Sequence, residues 1–314
     1  MRRFGPQSQT FRPPLFYIFV TLLLAFILPS SFAQQPQQQD EDEVVRVNTD
    51  LVVLNATVIN GEGKYVHGLR RSDFKVLEDG REQALSDFSV EETPFAAAVL
   101  LDTSGSMRDR MSLARSAAIR FLDGLRPDDV VAIYRFDSEV QQVQDFSSSR
   151  DLPSILFGLR GNGMTSLYDA LYRAAEDIAR RPEKRRAIVV LSDGLNESAG
   201  GVSANKALDH ALAVGATIYG INMASTAPGE HPQLGAATLR SFASKSGGRY
   251  VATPGGLALR EAFAAIVEEL SNQYTISYQP SNRARDGRWR NIEVRLARPD
   301  TKVRTRTGYR VPKA

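Results

Sequence analysis

Five oxygen-bearing side chains stand out for their type and spacing. Asp102, Ser104 and Ser106 alternate in VLLDTSGSM, residues 99–107, Thr165 closes the run GNGMT from Gly161, and Asp193 heads an Asp-Gly pair in IVVLSDG. Asp102 and Asp193 each follow an apolar run, and Thr165 precedes a helical pattern, so all five fall at element ends. Hard oxygen donors select magnesium, with manganese or calcium as alternatives, over zinc or copper. Only two of the five donors, Asp102 and Asp193, carry charge. A divalent ion with so few anionic ligands stays electrophilic, keeps waters and can accept a carboxylate from another molecule. In an extended turn Asp102, Ser104 and Ser106 would face one side, with Gly105 permitting a sharp bend. Taken singly, each piece has an ordinary explanation, because serines after strands cap helices and Asp-Gly pairs make turns. Their joint placement is what points to a cation site. Asp169, four residues after Thr165, reads first as a helix carboxylate and second as an acceptor that orients the Thr165 loop. Asp109 reads as an acid at a helix N-terminus.

The elements that must position these residues follow from periodicity. In the middle of the chain, AAAVLLD, VVAIYRF, RAIVVLSD, ATIYGINM and GRYVAT are apolar, β-branched runs. Between them lie amphipathic segments such as RMSLARSAAIRFLDGL, SLYDALYRAAEDIARR, SANKALDHALAVG, LRSFASKSGG and GLALREAFAAIVEEL. Continuous apolar strands alternating with helices predict a doubly wound α/β fold with a mostly parallel sheet, and QQVQDF, Gln141–Phe146, after the Asp137-Ser138 turn predicts an antiparallel edge strand. Ligands of such sheets bind at the carboxyl ends of the strands, where strand order reverses, which is where the five residues fall.

Both chain ends read as β instead. Residues 44–92 alternate with period two around turns at Asn60-Gly61-Glu62-Gly63 and Asp79-Gly80, which predicts antiparallel hairpins. Tyr274–Pro280, Arg288–Ala297 and Thr301–Arg310 alternate likewise. The expected organisation is a β-sandwich built from residues 44–92 and 272–314, with the α/β domain of residues 93–271 inserted into it.

The order strand-DxSxS, Gly-rich-Thr, strand-Asp-Gly resembles the metal-ion-dependent adhesion site of a von Willebrand factor type A domain, over roughly Pro94 to Ser271. That resemblance implies that Ser104, Ser106 and Thr165 coordinate the ion directly and that Asp102 and Asp193 do so directly or through water. The leader VNTDLVVLNATVINGEGKYVHGLRRSDFKVLEDG is similar to that of exported bacterial von Willebrand factor A-related proteins.

Composition narrows the function classes. Arg2, Arg3 and Arg12 precede an apolar stretch from Leu15 to Leu28 and a Ser31-Phe32-Ala33 site, the pattern of a signal peptide over residues 1–33. The apolar stretch, fourteen residues long, falls short of the roughly 20 that span a bilayer, so the reading is export to the periplasm or cell exterior without a transmembrane span after cleavage. The Gln-rich residues 34–43 read as a disordered linker. Removing the first 33 residues takes three of 39 basic residues and none of 36 acidic ones, which leaves no global basic field for nucleic acid. Eleven Lys/Arg against three Asp/Glu between Arg283 and Lys313 read as a solvated strand face. Cysteine is absent, so disulfides and thiolate metal sites are excluded.

The three histidines, His67, His210 and His231, lie away from the five oxygen donors, and neither G-x-S-x-G nor H-E-x-x-H occurs. An Asp-nucleophile phosphatase needs a second acid two residues on, where Ser104 stands, and GNGMTS lacks a phosphate-binding lysine. The expectation is a binding module, not an enzyme, whose cation accepts an Asp or Glu carboxylate of a protein partner. The alternatives are a structural metal clip in an envelope scaffold and, behind it, a magnesium-dependent phosphoester hydrolase.

Overall fold

The computed structural model describes residues 51–90, 93–158, 160–198, 201–224, 232–252 and 256–313. The signal peptide, the linker, residues 44–50 and His231 lie outside the described residues.

The middle of the chain forms a six-stranded sheet. In chain order its strands are β5 (Phe95–Asp102), β6 (Val130–Phe136), β7 (Val140–Ser147), β8 (Arg185–Ser192), β9 (Ala216–Asn222) and β10 (Tyr250–Ala252). Their spatial order is β10-β9-β8-β5-β6-β7. All neighbours are parallel except β7, which pairs antiparallel with β6 at the edge, as the sequence predicts. The chain runs from β5 outward to β6 and β7, then returns to the other side of β5 as β8, so strand order reverses between β5 and β8.

The helices are α1 (Met111–Asp123), α2 (Ile155–Gly158), α3 (Leu167–Ala179), α4 (Ala204–Ala213), α5 (Pro232–Ser246) and α6 (Gly256–Ser271). Every residue of β5 is buried, and its alternation divides two cores. Phe95, Ala97, Val99 and Leu101 pack with α1 and α6, whereas Ala98 and Leu100 pack with α3, α4 and α5. A strand covered on both faces needs apolar residues at every position, which is why FAAAVLL is continuous. On α3, Leu167, Ala170, Leu171, Ala174 and Ile178 are buried at the three- and four-residue spacing of a single helix face.

The chain ends contribute β1 (Val52–Asn60), β2 (Phe74–Glu78), β3 (Arg81–Gln83), β4 (Leu85–Ser89), β11 (Gln273–Tyr278), β12 (Trp289–Leu296), β13 (Thr301–Arg304) and β14 (Gly308–Arg310). They make two four-stranded sheets, β13-β1-β11-β4 and β14-β12-β2-β3, and each sheet mixes strands from both ends. One core lies between them, with Leu54, Ala56 and Ile276 from one sheet and Phe74, Val76 and Ile292 from the other.

Of three local expectations one is met and two differ from what forms. The Asp79-Gly80 turn does join a hairpin, β2 to β3, with both residues at positive φ as a type I′ turn requires. The turn at Asn60 does not: its side chain accepts the Glu62 and Lys64 N–H groups, and only a single bridge, Ile59 to Tyr65, follows. β1 pairs with β11 and β13 instead. The predicted strand over Thr301–Arg310 breaks into β13 and β14, which belong to different sheets. At the break the Arg306 side chain is buried and donates to the Leu212 carbonyl at the end of α4.

Candidate metal centre

At the reversal point, β5 ends in Asp102 and β8 ends in Ser192, followed by Asp193. Asp102 is fully buried and its carboxylate accepts from three donors: the Ser104 N–H at 2.9 Å, the Ser192 hydroxyl at 2.5 Å and the Ser104 hydroxyl. No ion pair reaches Asp102 among the described residues. Burial pushes its pKa up to about 7; the hydrogen bonds from Ser104 and Ser192 pull it down, and the nearby Asp193 carboxylate adds to the rise.

Ser104 has extended backbone, but Ser106 does not continue it. Residues Gly105–Arg110 form a 3-10 turn, so the one-sided extended array expected of Asp102, Ser104 and Ser106 is not what brings them together. The turn does so instead, placing the Ser106 Oγ 3.1 Å from the Ser104 Oγ. Gly105 opens that turn directly after the extended Ser104, without a positive φ; its N–H donates to the Gly163 carbonyl at 3.1 Å. Ser104 stands at the N-cap position without a side-chain cap bond, so its hydroxyl is not spent on helix capping.

The Gly-rich loop is laced to this turn. The Asn162 N–H donates to the Thr103 carbonyl at 2.9 Å. A Cβ on Gly161 would sit 2.6 Å from both the Ser104 carbonyl oxygen and the Arg108 nitrogen, so only glycine permits this approach. Thr165, 1% exposed, is tied through its carbonyl to the loop after β8, accepting from the Glu197 and Ser198 N–H groups. Its hydroxyl makes no hydrogen bond among the described residues. Asp193 is buried, and its Oδ1 accepts the Leu195 N–H at 3.0 Å, a local turn that leaves Oδ2 available. The backbone of Asp193-Gly194 touches α5 directly: a Cβ on Gly235 would lie 2.0 Å from the Asp193 carbonyl oxygen.

Three contributors were given no role, or a lesser one, in the sequence reading. Ser192, read only as part of the Ser-Asp-Gly string, donates to Asp102. Asp137, read as a turn residue, accepts from the Thr103 hydroxyl and the Arg135 guanidinium, while its carbonyl takes the Ser166 N–H. Asp169 accepts the Val202 N–H at 2.9 Å and abuts Gly201, so it anchors the segment after β8 instead of standing exposed on its helix. Asp109 is an exposed residue of the 3-10 turn. His210 stacks on Tyr172 at 4.3 Å, with its pKa lowered by burial.

Among the described residues no three His, Cys, Asp or Glu side chains group closely enough to hold a metal. The edge instead offers two carboxylates and the hydroxyls of Ser104, Ser106 and Thr165, a set of hard neutral and anionic oxygens that fits a cation of the magnesium type. The fit is strengthened by Asp102, a buried carboxylate among hydroxyls with no positive group beside it.

Residues 97–196 match the family model of the von Willebrand factor type A domain. The chain contains a von Willebrand factor type A domain. The match begins in β5 and ends in the loop after β8, so it encloses Asp102, Ser104, Ser106, Thr165 and Asp193. No curated protein matches the chain. Among solved structures the chain is similar to a von Willebrand factor type A protein from Catenulispora acidiphila, at 14% identity and a TM-score of 0.49, over 86% of this chain and 75% of that one. It is also similar to an aerotolerance-related membrane protein from Bacteroides fragilis, at 20% identity and a TM-score of 0.46, over 56% and 98%. A third is the vWF domain of the type V pili tip protein Mfa5 from Porphyromonas gingivalis, at 16% identity and a TM-score of 0.47, over 56% and 94%.

Proposed function

We propose that Asp102, Ser104, Ser106, Thr165 and Asp193 hold a divalent cation, Mg2+ in the first place and Mn2+ or Ca2+ in its absence. Through it, the type A domain of an exported protein binds a protein partner that presents an Asp or Glu carboxylate. The observation that carries this reading is the burial of Asp102 beside Asp193 without a counter-charge, at the strand-order reversal. An uncompensated buried carboxylate costs several kcal/mol, and a bound cation removes that cost.

When bound, the ion supplies a hard, electrophilic centre with room for one more oxygen ligand. The protein's own groups prepare it. Ser192 and the Ser104 N–H hold the Asp102 carboxylate in one orientation, the 3-10 turn brings the two serine hydroxyls together, and the Gly161–Thr165 loop is fixed against both. No histidine of the described residues lies among these groups, and Asp102 has no second acid two positions on, which favours binding over acyl or phosphoryl transfer. No helix among the described residues is long and apolar enough to cross a membrane; export rests on the sequence pattern of residues 1–33.

Calorimetric titration of the full chain with MgCl2, followed by NMR titration with a Gly-Ser decapeptide carrying one aspartate, tests the reading. Binding of the peptide in Mg2+ but not in chelator, lost in Asp102→Ala and Ser104→Ala, is expected. Equal binding in both conditions, or variants that behave as the parent, would overturn it. A large Mg2+-dependent rise in melting temperature with no carboxylate binding would instead mark a structural clip.

A further inference from the structure

Beside the five oxygens lies a cavity of about 660 Å3 whose charged lining is entirely arginine: Arg108, Arg115 and Arg160, with Gly161 and Asn162 as one wall. That wall is shared. The same Gly161 packs against the Ser104 carbonyl, and the same Asn162 donates to Thr103, so the cavity and the DxSxS turn are two sides of one strip of backbone. Arg108 itself follows Ser106 by two residues.

Two of the three guanidinium groups are held in place, and all three are largely unspent. The Arg108 Nε donates to the Gly161 carbonyl at 3.3 Å, and the Arg115 Nη1 donates to the carbonyls of Leu156 and Phe157 in α2. Arg160 makes no hydrogen bond or ion pair among the described residues. A guanidinium offers five donors in a rigid fork, so each retains free N–H groups, and no carboxylate lines the cavity to neutralise them. Three clustered cations without an acidic partner favour an anion, and the planar fork matches a carboxylate in two-point fashion.

We propose that this cavity is a second subsite for the same partner, and that the partner presents an acidic segment. One carboxylate of that segment goes to the cation site and another, a few residues along, to Arg108, Arg115 and Arg160. The inference rests on the cation-site reading above and adds to it the chemistry of the partner: a peptide with at least two separated acids, in place of a lone Asp or Glu. Two-point attachment makes the second contact intramolecular, so affinity rises without any new contact at the ion.

The test uses the full chain in Mg2+ and fluorescein-labelled Gly-Ser dodecapeptides with one aspartate, or with two separated by one to five residues, read by fluorescence anisotropy. At least one two-aspartate spacing is expected to bind roughly tenfold tighter than the single-aspartate peptide, as a charge-assisted bidentate contact allows. The gain is expected to vanish in Arg108→Ala/Arg160→Ala, with the single-aspartate peptide, compared at saturating Mg2+, still bound in a chelator-sensitive way. Both arginines are exposed, so the fold tolerates their removal, and circular dichroism checks it. Metal-dependent binding with no gain at any spacing, or a gain that survives the double substitution, would overturn the second subsite and leave the cation site standing. Two-aspartate binding that depends on the arginines but not on Mg2+ would overturn the shared-ligand proposal, and loss of Mg2+ dependence for every peptide would overturn the cation-site reading with it.

Discussion

Among the described residues two carboxylates are completely buried, Asp102 and Glu269, and their surroundings are opposite. Glu269, near the end of α6, is ringed by positive and neutral donors: Arg249 at 3.1 Å, Arg304, the Tyr219 hydroxyl at 3.0 Å and, more distantly, the Thr57 hydroxyl at 3.4 Å. These partners come from β1, β9, β13 and the segment before β10, so one carboxylate ties the α/β sheet to the strands of the chain ends. Gln273 extends the cluster by donating to the Tyr219 hydroxyl. Asp102 is as deeply buried, yet it meets only hydroxyls, an N–H and a second carboxylate. A buried charge whose counter-charge is built into the chain is a bolt. Asp102 has no such partner among the described residues, and under the reading proposed above a bound cation supplies it.

The comparison breaks most visibly at Glu269. Glu269→Ala strands Arg249 and Arg304 near the junction and is expected to cost about 3–5 kcal/mol, read by urea denaturation and independent of Mg2+; a loss under 1 kcal/mol would mean that the cluster is not a bolt. Next in size is the response to the cation. At a hundredfold excess over its Kd, Mg2+ is expected to stabilise the parent by about 2.7 kcal/mol and Asp102→Asn not at all. In chelator the same variant is expected to melt at or above the parent, because it removes an uncompensated charge; a lower melting temperature there would place Asp102 in the same class as Glu269. Smallest is Gly235→Ala, whose methyl group must push the Asp193 carbonyl away, at about 1–3 kcal/mol for overpacking. It is expected to weaken Mg2+ binding in calorimetry, whereas unchanged affinity would show that Asp193 is positioned without α5.

The α/β order, the antiparallel edge strand and the loops that bear the five oxygens are legible in the sequence, because fully buried strands impose apolar residues at every position and such runs are hard to mistake. The start of α5 is not. Its first turns, PQLGAAT, carry a glycine that lowers helix propensity, and that glycine is there to admit the backbone of Asp193, a contact between residues distant in sequence. Ser106 is misplaced for a related reason: alternation in DxSxS mimics an extended strand, while a 3-10 turn also brings the two hydroxyls within reach of each other. The strand breaks at the chain ends escape detection because they are set by which sheet each half joins. The arginine cavity was equally hidden, since Arg108, Arg115 and Arg160 are spread over more than fifty residues and only the Gly161 approach gathers them.

The interleaving of the chain ends has a consequence for the order in which the molecule assembles. Val52 pairs with Tyr278, and Thr57 with Arg304, so β1 emerges from the ribosome more than two hundred residues before its partners exist. The α/β region between them closes through nearer contacts, and local contacts form fastest. β1 therefore spends synthesis as an unpaired apolar strand, the kind of segment that invites pairing with another chain. Truncation after Ser271 would leave that strand without β11 and β13, so a chain that keeps the whole six-stranded sheet is nevertheless expected to aggregate.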